Sequence, residues 1–136
     1  MVKAEKLGHL VLAVRDCVRS RDFYTRHLGL KISSEKLERG QVFLTLGDEH
    51  HVLALFQRAT AEPPTPEQPG IVHIAFSLND ADDLQAARKE LNEAGIPIEA
   101  DDTRALYIRD PDNNRVMLFC GRSENAAAEM TTAARH

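Results

Sequence analysis

The sequence lacks three features that would assign it to a membrane, nucleic-acid-binding or disulfide-rich class. No apolar run approaches the roughly 20 residues needed to cross a bilayer. The formal net charge is −4, which gives no electrostatic basis for binding nucleic acid or an anionic membrane. Only two cysteines occur, Cys17 and Cys120, and the first residues lack the pattern of a signal peptide. We therefore expect a cytoplasmic protein whose two cysteines are reduced and pack as small apolar side chains.

The bulk composition is that of an ordinary globular protein. Of the 136 residues, 43% are hydrophobic and 28% are charged, which is enough apolar material for a real core. We expect a single domain over residues 1–122. The remaining segment, residues 123–136, is small and polar and predicts a frayed helix or a disordered tail.

The chain contains an internal duplication. Residues 8–16 return in pattern as residues 72–80, and each passage is an apolar strand with one histidine near its start, His9 or His73. Each strand leads into a helix, capped by Asp16 in the first copy and by Asn79 or Asp80 in the second. Glycines are expected to end the helices, and they are Gly29 and Gly95.

Three more strands are predicted in each copy. They cover residues 30–33, 42–46 and 51–56 in the first copy, and residues 96–99, 105–109 and 115–119 in the second. The fold class is therefore α+β, with two tandem β-α-β-β-β modules over about 6–56 and 71–120 and a proline-containing linker over 59–69. We expect the modules to form a curved sheet around a cavity, with the helices outside.

Two segments carry a resemblance to a known family. They are residues 23–30, Phe-Tyr-Thr-Arg-His-Leu-Gly-Leu, and residues 107–114, Tyr-Ile-Arg-Asp-Pro-Asp-Asn-Asn. With the duplicated modules, they resemble the vicinal oxygen chelate superfamily, which includes glyoxalase I, bleomycin-resistance proteins, methylmalonyl-CoA epimerase and extradiol dioxygenases. The family pattern has glycine where this chain has Asn113, the non-glycine residue that best tolerates a positive φ, so we expect the turn to survive.

Within the superfamily, residues 50–55, His-His-Val-Leu-Ala-Leu, look most like extradiol dioxygenases, and this resemblance implies a metal site. In those enzymes a histidine on each first strand and a glutamate on the last strand hold Fe(II) or Mn(II). The matching positions here are His9, His73 and Met117. The glutamate that glyoxalase-type members carry in the first copy is matched by Ala54. A thioether suits Cu(I) better than Fe(II), so we expect no tightly bound metal, with Fe(II) or Mn(II) held weakly at most.

Other residues have roles implied by the same resemblance. His51 resembles the histidine that assists proton transfer, and Tyr107 the tyrosine that hydrogen-bonds a substrate hydroxyl. The alternative for His50 and His51 is a pair of solvated histidines at the start of a hairpin, and for Tyr107 it is a strand tyrosine with a solvated hydroxyl. For His9 and His73 the alternative is a hydrogen-bonded core histidine. Strict strand alternation from Ala54 would direct His50, rather than His51, into the cavity, unless a bulge reverses it. Ala75, Met117 and Phe119 complete the expected cavity lining: His50, Ala54, Ala75, Met117, Phe119.

Three functions follow from these residues. One is an extradiol-type oxidoreductase with a degraded metal triad, in which His50 or His51 takes the vacant ligand place or nothing does. Another is a metal-free protein of bleomycin-resistance type that binds a small aromatic or apolar molecule. The third is a glyoxalase- or epimerase-like lyase or isomerase, which lacks an evident base because neither Ala54 nor Met117 is a carboxylate. Relatives of this length commonly pair, so a homodimer is expected.

Overall fold

Two compact units make up the chain, Met1–Glu62 and Pro63–His136. A computed structural model describes residues 1–47, 51–58, 65 and 67–121. His50, most of the predicted linker and the predicted tail lie outside the described residues. Neither helix in the described part of the chain is long and apolar enough to span a membrane.

The first unit has the predicted β-α-β-β-β order. Its elements are β1 (Leu10–Val14), α1 (Cys17–Leu28), β2 (Lys31–Lys36), a 3-10 turn (Leu37–Arg39), β3 (Gln41–Thr45) and β4 (Leu53–Gln57). The strands form one sheet in the order β1-β4-β3-β2. β1 runs parallel to β4, and the other pairs are antiparallel.

The second unit repeats this arrangement. Its elements are β5 (Ile74–Ser77), α2 (Ala81–Glu93), β6 (Ala100–Asp101), β7 (Ala105–Arg109) and β8 (Arg115–Phe119). The sheet order is β5-β8-β7-β6, and again only the first and last strands of the unit pair in parallel. The prediction of a duplicated α+β fold is confirmed, as two helices and two four-stranded mixed sheets in the part of the chain that the structure describes.

The helix boundaries follow from the capping residues. The Asp16 carboxylate accepts hydrogen bonds from the amides of the first turn of α1, and Gly29 ends that helix in the left-handed conformation at φ 75°. In α2 the cap is Asp80 rather than Asn79, because the Asp80 side chain accepts from the Asp83 amide at 2.9 Å. The chain leaves α2 through Gly95, as predicted.

One strand prediction is wrong. Residues 96–99 are not a strand, and the third element of the second unit is the two-residue β6. Pro97 has no amide hydrogen to give to a ladder. Regular pairing begins only near Glu99, whose amide donates to the Tyr107 carbonyl at 2.9 Å. In the first unit, by contrast, the matching strand β2 runs three residues further than expected, to Lys36.

Strand alternation separates a core face from a second face in the first unit. The register pairs place Leu12 with Leu55, and Leu55 with Val42, on one face, where all three are buried. α1 packs against β3 and β4. The other face carries Val11, Ala54 and Phe43, which are aligned across β1, β4 and β3. Cys17 and Cys120 are free and buried, as predicted.

The turn between β7 and β8 holds those two strands in register. The Asp110 carboxylate accepts from the amides of Asp112 and Asn114 at 3.0 and 2.8 Å. Asn113 has φ 68°, so it takes the left-handed position that the family pattern gives to glycine. This turn sets Tyr107 directly opposite Met117.

Candidate functional site

The two duplicated histidines occupy equivalent positions. His9 immediately precedes β1 and His73 immediately precedes β5, so each lies just before the regular part of a first strand. His9 is exposed and His73 is half-buried. The alternative of a core histidine does not describe His9.

In the first unit, His9 belongs to a group of three rings. The ring centroids of His9 and His51 are 4.4 Å apart, and the planes are tilted by 50°. The His51 ring also meets the Phe43 ring edge-on at 5.4 Å. Phe43 pairs in register with Ala54, so the His51 ring lies beside the face of the sheet that carries Ala54.

This position of His51 differs from what strict alternation predicts. β4 begins at Leu53, so His51 and Val52 precede the regular strand and need not continue its alternation. Val52 is held from both sides, because its amide donates to Leu44 and its carbonyl accepts from Leu10. The two backbone bonds hold the chain next to His51 beside β1 and β3.

In the second unit, Tyr107 contacts a histidine and an arginine. The ring centroids of His73 and Tyr107 are 5.4 Å apart. The guanidinium carbon of Arg115 lies over the Tyr107 ring, 5.2 Å from its centroid, which is the geometry of a cation–π contact. Tyr107 itself is 1% exposed, so its hydroxyl is not the solvated one that the alternative reading required.

Two polar atoms of this group are left without hydrogen bonds. Within the described ranges, the buried side-chain nitrogen and oxygen atoms that lack a partner are the Tyr107 hydroxyl and Arg115 Nε. A buried polar group that makes no hydrogen bond costs about 1 to 3 kcal/mol. Such groups are uncommon in folded proteins and often mark a place where a ligand or water completes the bonding. Here both occur in one contact pair.

Two arginines beside this group share one carboxylate, and they do so unequally. Glu99 Oε1 lies 2.6 Å from Arg109 Nε but 3.9 Å from Arg115 Nε. One carboxylate therefore serves two guanidinium groups, and Arg115 has the longer contact. Burial, and then the charge of Arg115, lower the pKa of His73, so this imidazole is neutral over a wider range of pH than usual.

Met117 lies in an apolar cluster on the same face. The cluster consists of Ala105, Tyr107, Met117 and Phe119, with Ala100 packed against it. Met117 is 0% exposed. Ala75, the neighbour of Met117 on β5, is exposed, so this face remains open towards that edge of the sheet.

These residues do not fit the metal site that extradiol dioxygenases use. The third position holds a thioether inside an apolar cluster, whereas Fe(II) and Mn(II) favour a hard, charged oxygen. Ala54, at the other carboxylate position, is fully buried and has no donor. Over residues 1–47, 51–58, 65 and 67–121, no three His, Cys, Asp or Glu side chains are grouped so that they could hold a metal ion.

Sequence reasoning missed Phe43, Glu99 and Arg115. Arg115 could have been predicted, because it lies two residues before Met117 on one strand and therefore on the same face. Phe43 and Glu99 depend on pairing between strands, for which the sequence alone supplies no register.

Comparison with known proteins identifies the family. A family model described as the Glyoxalase/Bleomycin resistance protein/Dioxygenase superfamily matches residues 6–118. The chain belongs to this superfamily. The match covers both repeats, and it agrees with the vicinal oxygen chelate resemblance seen in the sequence.

Individual relatives come from more than one reaction class. Biphenyl-2,3-diol 1,2-dioxygenase 2 of Rhodococcus globerulus is 34% identical over 123 residues, which cover 87% of this chain. The match spans only 64% of that relative's own length. Glutathione transferase FosA of Serratia marcescens is 28% identical over 120 residues, covering 86% of this chain and 82% of that protein.

A solved structure supports the fold. The crystal structure of a glyoxalase/dioxygenase from Nostoc punctiforme has a TM-score of 0.75 and 25% sequence identity. The match covers 90% of this chain and 97% of the other.

Proposed function

We propose that this protein binds a small aromatic molecule that carries hydroxyl groups, at an extradiol-dioxygenase-like site whose metal triad is degraded. The observation that carries the proposal is the buried Tyr107 hydroxyl, which has no hydrogen-bond partner in the described part of the chain. A ligand hydroxyl would satisfy it. The apolar cluster around Met117 offers a surface for the ring.

The relatives suggest which molecule to try. The Rhodococcus globerulus protein is named for biphenyl-2,3-diol, an aromatic diol. Catechol is the smallest ligand with the same pair of hydroxyl groups. Both are suitable probes, and catechol is the more soluble.

The same proposal includes weak or no metal binding. His9 and His73 are neutral donors at most, and Met117 brings neither charge nor a hard oxygen. Anaerobic titration with Fe(II), desalting and metal analysis test this point. We expect well under one iron per chain, and near-stoichiometric retained iron would overturn it.

Ring cleavage by a weakly held Fe(II) is the second candidate function. The observation that favours it is the contact between the His9 and His51 rings, 4.4 Å apart, because an imidazole beside a candidate ligand is placed for proton transfer. Oxygen consumption with catechol and excess Fe(II) tests it, with His51→Gln as the variant. Loss of activity in that variant would support this second candidate.

Calorimetric titration with catechol in the presence of a chelator tests the binding proposal. Tyr107→Phe removes one hydrogen bond and should weaken binding by about fivefold. Tyr24→Phe is the matched control, because Tyr24 is the other tyrosine of the chain, equally buried but on α1 of the first unit. Equal losses in the two variants, or no binding by the unaltered protein, would overturn the proposal.

A further inference from the structure

The proposed function gives no role to Arg115, although this residue contacts Tyr107. Its side chain is 20% exposed, its Nε is buried without a hydrogen bond, and its guanidinium lies over Tyr107. It shares a face of β8 with Met117, so it lies on the same face as the ligand surface described above.

The surrounding charges leave this arginine short of a counter-ion. Glu99, the carboxylate in contact with Arg115, makes its 2.6 Å contact with Arg109 instead. Arg109, Arg115 and Glu99 together carry one net positive charge. A half-buried guanidinium with an incomplete hydrogen-bond set is a good partner for a carboxylate, which accepts two parallel hydrogen bonds from it.

The two unsatisfied atoms belong to side chains that are in contact, and they differ in hydrogen-bonding capacity. The Tyr107 hydroxyl can donate to or accept from a ligand hydroxyl, whereas Arg115 Nε can only donate. A ligand that satisfies both must carry an acceptor on the Arg115 side. A negatively charged acceptor would also neutralise the net positive charge of Arg109, Arg115 and Glu99.

We propose that Arg115 selects aromatic ligands that carry a carboxylate, so that the preferred ligand is an aromatic hydroxy acid rather than a neutral diol. The proposal rests on the proposed function, since it assumes that the ring of the ligand lies beside Tyr107. Arg115 acts as a specificity-determining residue that contacts the carboxylate.

Catechol and protocatechuate form a matched pair of probes, because the second is the first with one carboxylate added. In calorimetric titrations the unaltered protein should bind protocatechuate about tenfold more tightly than catechol. Arg115→Gln should lower the ratio of protocatechuate affinity to catechol affinity to about one. Arg115→Lys should keep part of the preference, since it retains the charge but not the planar fork.

Two further variants separate recognition from a structural role. Glu99→Gln removes the competing carboxylate and should increase the preference for protocatechuate, a gain that mere loss of packing would not produce. Arg88→Gln is the matched control, because Arg88 is an arginine of the same unit committed to Asp101 at 2.6 Å. It should leave the preference unchanged, and circular dichroism would verify that each variant is folded.

The outcomes distinguish this inference from the function on which it rests. If catechol binds but protocatechuate binds no better, Arg115 does not select a carboxylate, although the site still binds aromatic diols. If Arg115→Gln and Arg88→Gln lower the preference equally, the effect is general and the inference is wrong. If neither probe binds, both the inference and the proposed function fail.

Discussion

Replacing Met117 with glutamate tests whether this position can supply a metal ligand. The side chain at this position is fully buried, among Ala105, Tyr107 and Phe119. A carboxylate placed there loses its hydration and keeps one evident donor, the Tyr107 hydroxyl. An unpaired buried charge costs several kcal/mol, and a hydrogen bond to a charged group returns about 1.5 to 3 kcal/mol. We therefore expect metal-free Met117→Glu to lose about 2 to 4 kcal/mol of unfolding free energy.

A metal ion should return much of this loss. A carboxylate at position 117 lies in the same unit as His73 and supplies the hard oxygen that Met117 does not. We expect affinity for Mn(II), an air-stable substitute for Fe(II), to rise by at least about tenfold. At a free metal concentration of 100 times the Kd, the variant should gain about 2.7 kcal/mol of unfolding free energy.

Urea denaturation with and without Mn(II) measures both effects. Met117→Gln is the matched control, since it has the same shape without the charge, and it should be destabilised without any metal-dependent recovery. Equal metal responses in the glutamate and glutamine variants would refute the reasoning. They would mean that position 117 cannot supply a metal ligand, whatever residue it holds.

Three smaller predictions concern stability and can be tested by the same denaturation measurements. Asn113→Ala should lower the free energy of unfolding by about 1 to 2 kcal/mol because φ is 68° there, while Asn113→Gly should leave it nearly unchanged. Gly40→Ala should cost at least about 1 kcal/mol, because φ is 66° and an added Cβ would lie 2.8 Å from Gln57 Cβ; an unchanged midpoint would contradict this. The lowered pKa of His73 means that the unfolded chain takes up its proton first as pH falls below the ordinary value of 6.5, so the free energy of unfolding should decrease there. His73→Gln should show a shallower decrease between pH of about 7 and about 5, and parallel curves would contradict the assignment.

The internal repeat made the fold predictable from the sequence. Capping residues and glycines stood at matching places in the two copies, so each helix assignment supported the other, and Asp16, Asp80 and Gly29 act as expected. The prediction failed over residues 96–99, where apolar residues suggested a strand. Strand pairing depends on donors and a partner, and Pro97 supplies no donor.

The candidate site was only partly predictable. The sequence indicated His9, His73, Tyr107 and the anomaly at Met117, because each is fixed by a motif or by its place in a repeat. It could not decide the orientation of His51, because that depends on where β4 begins and not on alternation within it.

By itself, the amino-acid sequence determined the duplicated architecture, the family and the absence of both expected carboxylates, since these depend on residue identity and on spacing along the chain. The tertiary structure alone decided which side chains meet. Only strand register brings Glu99, Tyr107 and Arg115 together and leaves two of their polar atoms buried without hydrogen bonds. The turn after β7 fixes the register of β7 with β8, but the sequence did not reveal the pairing that brings Glu99 to Tyr107, because residues 96–99 do not form the expected strand.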